Sequence, residues 1–153
     1  MHLGNYLGLI HASEQQLAEA FQQVAEHHGD EPDIYQTCML LSSWSQQHVQ
    51  ALKPFVDRYS EEKNDEPERL SQSLFEEPRS GSLALLRDLH DLWLIANEVH
   101  LCWVVILQAA KALRDLELEV LCQRLDNQTH RQQAWLLTRI KQAAPQTLVV
   151  ADR

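Results

Sequence analysis

Polar side chains recur at the middle of otherwise apolar helical stripes in this 153-residue chain. Glu14 sits in the first stripe, Ser45 and His48 in the second, Glu98 near the buried face of the third, and Thr129 and Gln132 in the fourth. Polar groups in a core are costly unless they bond one another, water or a metal. Four helices facing one another with such groups at mid-height therefore imply a common polar layer. Two chemistries are open to it. Glu14, His48 and Glu98 can hold a single iron, manganese or zinc ion, with water and His100 or His11 completing an open site. Alternatively they join Ser45, Thr129, Gln132 and His100 in a hydrogen-bonded layer with no cofactor, which is the reading the sequence favours. The spacing adds internal order. Ser45 follows Glu14 by 31 residues and Thr129 follows Glu98 by the same 31. In both halves a second polar residue comes three positions later, His48 and Gln132.

Other chemistries find little support. Ser45 and His48 lie three apart on one helix, with no strained turn or oxyanion hole to make a nucleophile of the serine. There is no Gly-rich phosphate loop, G-x-S-x-G or paired-cysteine motif. His27 and His28 end a helix, where a cation suits the dipole; His11, His90 and His100, each taken alone, read as packing or surface residues, and His2 is uninformative.

Positioning the polar residues takes four helices, and the apolar periodicity provides them. The first runs over about 7–28 through Leu7, Ile10, Leu17, Phe21 and Val24, and Gly29 to Pro32 stop it. The second runs over about 33–59 through Ile34, Cys38, Leu41, Leu52 and Phe55, capped by Asp33 or Asp30. Pro54 inside it predicts a kink, or an end and a fresh turn. The third runs over about 82–113, with Ser82 as N-cap, through Leu85, Leu89, Leu92, Ala96, Val99, Trp103, Ile106 and Ala110. A tight turn at Leu113 to Asp115 leads to the fourth, over about 116–143, through Leu118, Cys122, Leu125, Leu136 and Ile140, with Pro145 as its stop. The charged, proline-containing stretch 60–81 reads as a long surface crossover with a short turn around Leu70 to Phe75. It joins two antiparallel helical hairpins, so that the second and third helices run in the same direction. The expectation is an all-α four-helix bundle forming one domain over residues 1–153.

In this layout the chain resembles the ferritin-like four-helix-bundle superfamily. WSQQHVQAL looks like the second helix of such proteins and QTHRQQAWLLTRIKQAAPQ like the fourth. Di-metal members place a Glu on each of two helices and a Glu-x-x-His pair on each of the other two. The resemblance implies that Glu14 and Glu98 match the single glutamates and that His48 matches the second-helix histidine. Ser45, Thr129 and Gln132 then stand where the family has its remaining ligands. Hydroxyls cannot bridge two iron ions and a neutral amide replaces imidazole poorly. The resemblance thus implies a divergent member whose di-iron site, with its ferroxidase or oxygenase chemistry, is lost.

Composition bounds the rest. With 13 Lys+Arg against 22 Asp+Glu and no basic cluster, the surface repels phosphate backbones and anionic lipid, so nucleic acid is not an expected partner. Cys38, Cys102 and Cys122 are few, scattered and set among apolar residues, as in reduced cytoplasmic proteins. The N-terminus lacks a basic leader pattern. The apolar run Leu92 to Leu107 contains Asn97, Glu98 and His100 and reads as a core helix rather than a membrane span. From Leu92 onward that helix is apolar nearly all round, which points to a homodimer or another protein partner. Trp44, Trp93, Trp103 and Trp135 either fill the core or mark a second buried face. The sequence therefore favours a non-enzymatic interaction or structural module. The alternatives are a metal-binding or redox protein with a reduced site, and a small-molecule binder using the bundle core.

Overall fold

In the computed structural model the described residues, 2–60 and 83–150, form α1 (Leu3–His27), α2 (Pro32–Arg58), α3 (Ala84–Leu113) and α4 (Leu116–Pro145). No strand occurs among them. The predicted crossover over 60–81 (Ser60 apart), its turn at Leu70 to Phe75, the Ser82 cap and the tail end 151–153 lie outside the described residues.

The apolar stripes become the core. Leu7, Ile10, Leu17 and Phe21 of α1 are enclosed together with Ile34 and Leu52 of α2, Leu89, Leu92 and Trp103 of α3, and Leu118 and Leu136 of α4. Polar contacts give the order of pairing. Ser42 Oγ donates to the Ala18 carbonyl at 2.7 Å, while His48, further along α2, meets Glu14, earlier on α1. α1 and α2 therefore run in opposite directions. On the other side Gln133 Nε2 donates to Asn97 Oδ1 at 3.3 Å and the His100 and His130 rings lie 4.4 Å apart, so α3 and α4 also oppose. α1 packs along α3 as well, and α2 touches α4.

Helix ends differ from expectation where one-dimensional signals compete. α1 begins at Leu3 rather than near Leu7, because Leu3 and Leu7 extend the buried stripe through Gly4 and Gly8. Packing outweighs the low helix propensity of glycine. Neither Asp30 nor Asp33 caps α2: the cap position is Glu31, with no side-chain bond, and Pro32 opens the first turn. Asp33 instead accepts from Arg139 Nε at 2.8 Å, tying the start of α2 to the end of α4. α2 does not end at Pro54 but continues to Arg58. Pro54 is on the exposed side, where the carbonyl it leaves without a donor can meet water. Pro145 ends the α-helical hydrogen bonding of α4, but the chain continues as a π-helical turn over Gln146–Val150.

The turn between α3 and α4 is where predicted, and it is built without glycine. Arg114 takes the left-handed conformation, with φ of 56°. Asp115 then caps α4, its Oδ1 accepting from Leu118 N at 3.1 Å, while its Oδ2 takes the Tyr59 hydroxyl at 2.6 Å and Arg58 Nη1 at 3.0 Å. Partial burial works against the Asp115 carboxylate, but Tyr59, the Leu118 N–H and Arg58 hold its pKa below the usual value. A non-glycine residue at a left-handed helix end carries a steric cost. Arg114→Gly is therefore expected to raise stability by about 0.5–1 kcal/mol, after the entropy glycine loses on folding. It should appear as a higher urea midpoint at unchanged slope; a lower midpoint would mean that the Arg114 side chain, not its backbone, matters.

α3 is the most apolar helix. By length and composition alone it could cross a membrane, with a mean hydropathy of 1.5 over its best 18-residue window. Its inner face is packed: Leu89, Leu92, Ala96, Val99, Trp103 and Ile106 are all buried. Its outer face carries Leu94, Leu101, Val104 and Val105 exposed. Trp103 is fully enclosed, whereas Trp44, Trp93 and Trp135 are half-buried and pack against the core edge.

Candidate functional site

The interior holds a chain of polar contacts across three helices, walled by the fourth. Glu14 of α1 and His48 of α2 are both fully buried, because each occupies a stripe position that apolar residues fill one turn away. His48 Nδ1 lies 2.6 Å from Glu14 Oε2 and its Nε2 lies 2.7 Å from Gln128 Oε1 of α4. Both ring nitrogens thus face acceptors, the arrangement of a doubly protonated imidazole donating twice. Trp103 of α3 meets the His48 ring edge-on, with centroids 6.4 Å apart.

The electrostatics follow from burial and pairing. Burial lowers the His48 pKa, but the hydrogen bond to Glu14, its charge and the bond to Gln128 outweigh this, and the net shift is upward. Arg124, on α4, opposes the charge of His48. Burial pushes the Glu14 carboxyl up, and the bond to His48 pulls it part of the way back. Each group makes the other's charge tolerable in a place where neither could stand alone.

A second buried group lies beside the first. Gln132 Nε2 donates to Ser45 Oγ at 2.9 Å and to the Leu41 carbonyl at 3.0 Å, joining α4 to α2. Thr129 Oγ1 donates to the Leu125 carbonyl one turn back at 3.1 Å, so its hydroxyl is satisfied within its own helix. Around this layer Glu14 Oε1, Gln132 Oε1 and Trp103 Nε1 are buried and make no hydrogen bond among the described residues.

Two residues assigned to the layer stand apart from it. Glu98 is half-buried and is not part of the Glu14–His48–Gln128 chain. It precedes Val99, and one residue turns a helix by about 100°, which carries it off the buried stripe. His100 points to α4, where its Nδ1 lies 2.8 Å from Asp126 Oδ1. His11 is half-buried on α1 and borders a groove with Gln50 and Lys53.

These positions do not fit a di-metal centre. A histidine ligand must offer an unprotonated ring nitrogen, and both nitrogens of His48 face acceptors inside the core. Ser45, Thr129 and Gln132 hydrogen-bond as neutral groups, and among the described residues Glu14, His48 and Glu98 form no cluster of metal-ligand spacing. No family model, curated protein or solved structure matches this chain.

Several contributors escaped sequence reasoning. Gln128 is adjacent to Thr129 and off the fourth stripe, so no pattern marks it as the second partner of His48. Asp88 is fully buried on α3 and lies 2.9 Å from His28 Nε2. Its spacing of four from Leu92 was the available signal. Asp126 and His130 lie on the half-exposed flank of α4, where a polar residue attracts no notice. The three cysteines are buried, and for Cys38 and Cys122 burial first, with nearby carboxylates, pushes the thiol up to about 12, which disfavours the reactive thiolate. A groove of about 580 Å³ between α2 and α4 is lined by Ala51, Phe55, Leu116, Val120, Leu121 and Arg124, with Glu117 at its edge. It includes none of the layer residues, so a small molecule there would bind beside the layer and not in it.

Proposed function

We propose that this protein is a non-enzymatic, ferritin-like bundle that has lost its di-iron site and acts as an interaction module, pairing with a second copy through the outer face of α3. The opposed order of contacts along α1–α2 and along α3–α4 supports the two-hairpin arrangement of that superfamily. The closed Glu14–His48–Gln128 chain supports a structural role for the former metal layer, since it leaves no open position for a substrate or oxygen.

The observation that carries the positive reading is the row on α3. Leu94, Leu101, Val104 and Val105 are 36–53% exposed within three turns of a helix whose other side is in the core. Leu94 and Leu101 are one heptad apart, with Val104 and Val105 on the following turn, which is the spacing of a helix–helix seam. A two-fold pairing sets this row against itself, and such an interface needs no second partner type.

Light scattering after size exclusion should give twice the 17.7 kDa chain mass at micromolar concentration. Leu101→Glu should give a single-chain mass with unchanged helical circular dichroism. A wild-type monomer at every concentration would overturn the reading. So would a monomer that floats with lipid vesicles in a Leu101-dependent manner, since α3 would then be meeting a bilayer.

A further inference from the structure

His100 of α3 and Asp126 and His130 of α4 form a cluster apart from the buried layer. The three residues present one ligand atom each, all within 4.8 Å of one another. Asp126 lies between the imidazoles: its Oδ1 is 2.8 Å from His100 Nδ1 and its Oδ2 is 3.7 Å from His130 Nε2. The rings lie with centroids 4.4 Å apart and planes tilted by 55°. We propose that this cluster is a binding site for a divalent first-row transition ion of the zinc type, held by two imidazoles and one carboxylate and completed by water.

The donor set and spacing argue for that class of ion. Zinc bonds nitrogen and carboxylate oxygen at about 2.0–2.2 Å, which places neighbouring tetrahedral donors about 3.3 Å apart. The imidazole nitrogens lie 2.8 and 3.7 Å from the two oxygens of Asp126, on either side of that value. Closing the site takes a small rotation of the Asp126 carboxylate and a swing of His130, whose side chain is 58% exposed. Hard cations such as magnesium take oxygen ligands and gain little from two imidazoles.

The backbone also suits the purpose. Asp126 and His130 are four apart on one helix face, and His100 reaches them from the antiparallel neighbour. The contact of Asn97 with Gln133 one turn away holds the two helices in this register. An ion here would tie α3 to α4 near their middles, far along the chain from the Arg114 turn that already joins them. It would stabilise the folded chain by mass action, because the unfolded chain does not bring the donors together.

Untagged full-length protein titrated calorimetrically with zinc chloride tests the proposal. One zinc per chain is expected, with a rise in melting temperature, and an excess of magnesium should not compete. His130→Ala should weaken zinc binding at least tenfold, since even the outer hydrogen-bond partners of metal ligands are worth 10–100-fold. His130 is on the surface, so this variant should keep its circular dichroism and unliganded melting temperature. Cobalt(II) gives a second readout: visible ligand-field absorption in the wild type that is absent in His130→Ala and in His100→Gln. Glu14→Gln and His27→Ala should leave zinc affinity unchanged. Zinc affinity that survives His130→Ala, is lost in Glu14→Gln or His27→Ala, or is displaced by magnesium would overturn the assignment, as would no saturable binding.

Discussion

His48→Ala is expected to cost about 3–5 kcal/mol of unfolding free energy, the usual penalty for removing one partner of a buried ion pair. Glu14 would be left fully enclosed with neither carboxylate oxygen paired among the described residues. Glu14→Gln should be milder, about 1–2 kcal/mol, because the amide oxygen can still accept from His48 Nδ1 while the charge is lost. Chemical denaturation of both variants and of the double variant gives the coupling between the two positions. The double variant should lose less than the sum of the singles, since each single leaves the other group stranded.

The same pair sets a pH dependence whose sign follows from proton counting. The folded-state pKa of His48 lies above its ordinary value of 6.5. Above pH 6.5 the unfolded chain releases that proton while the folded chain keeps it. Stability contributed by His48 is therefore complete below the unfolded pKa and declines as pH rises through the folded one, by at most about 1.4 kcal/mol per pH unit. Glu14 is raised as well, so it adds no acid-side loss of its own. The useful window is pH 6.5 to 8, because Cys38 and Cys122 produce a decline of the same sign once pH passes their ordinary value of 9.0. Urea midpoints of the wild type should fall across that window and those of Glu14→Gln should fall less. Equal slopes in the two proteins would mean that Glu14 does not hold the proton on His48.

The contrast between Glu14 and Glu98 shows how far the sequence could be read. Both glutamates precede their hydroxyl partners by 31 residues, and the repeat suggested equivalence. On α1, Glu14 occupies the stripe itself, between Ile10 and Leu17, so its burial follows from periodicity. On α3, Ala96 and Val99 occupy the stripe and Glu98 lies off it. Helical phase decided the matter where residue counting did not. Burial of Ser45, His48, Thr129 and Gln132 was likewise legible from phase. Their partners were not, since pairing depends on how two helices slide past one another. That is why Gln128 was missed and why His100 was placed in the wrong group. Helix existence was easily read from long stripes. Helix ends were harder, as Gly4, Pro54 and Pro145 show, because burial of neighbouring apolar groups outweighs one unfavourable residue.

Trp103→Ala is the second large expected effect, a loss of about 3–5 kcal/mol for emptying a fully buried aromatic site. The indole fills the level of the bundle where α3 contributes no partner to the polar chain, and its ring meets His48 edge-on. Its Nε1 has no acceptor among the described residues, so not all of its volume is favourable: a buried donor without a partner costs about 1–3 kcal/mol. Trp103→Phe removes that donor along with part of the ring, and it should cost less than half of what Trp103→Ala does. The alanine variant should also loosen the wall around His48. The alkaline decline in stability should then shrink, because water reaching the imidazole weakens its bond to Glu14. Urea denaturation of the two variants at pH 6.5 and pH 8 tests both points. If Trp103→Ala costs under about 1 kcal/mol, the site is not close-packed at this level. The polar layer would then be open to solvent, and the reading of the core as a place where a small molecule binds would regain its footing.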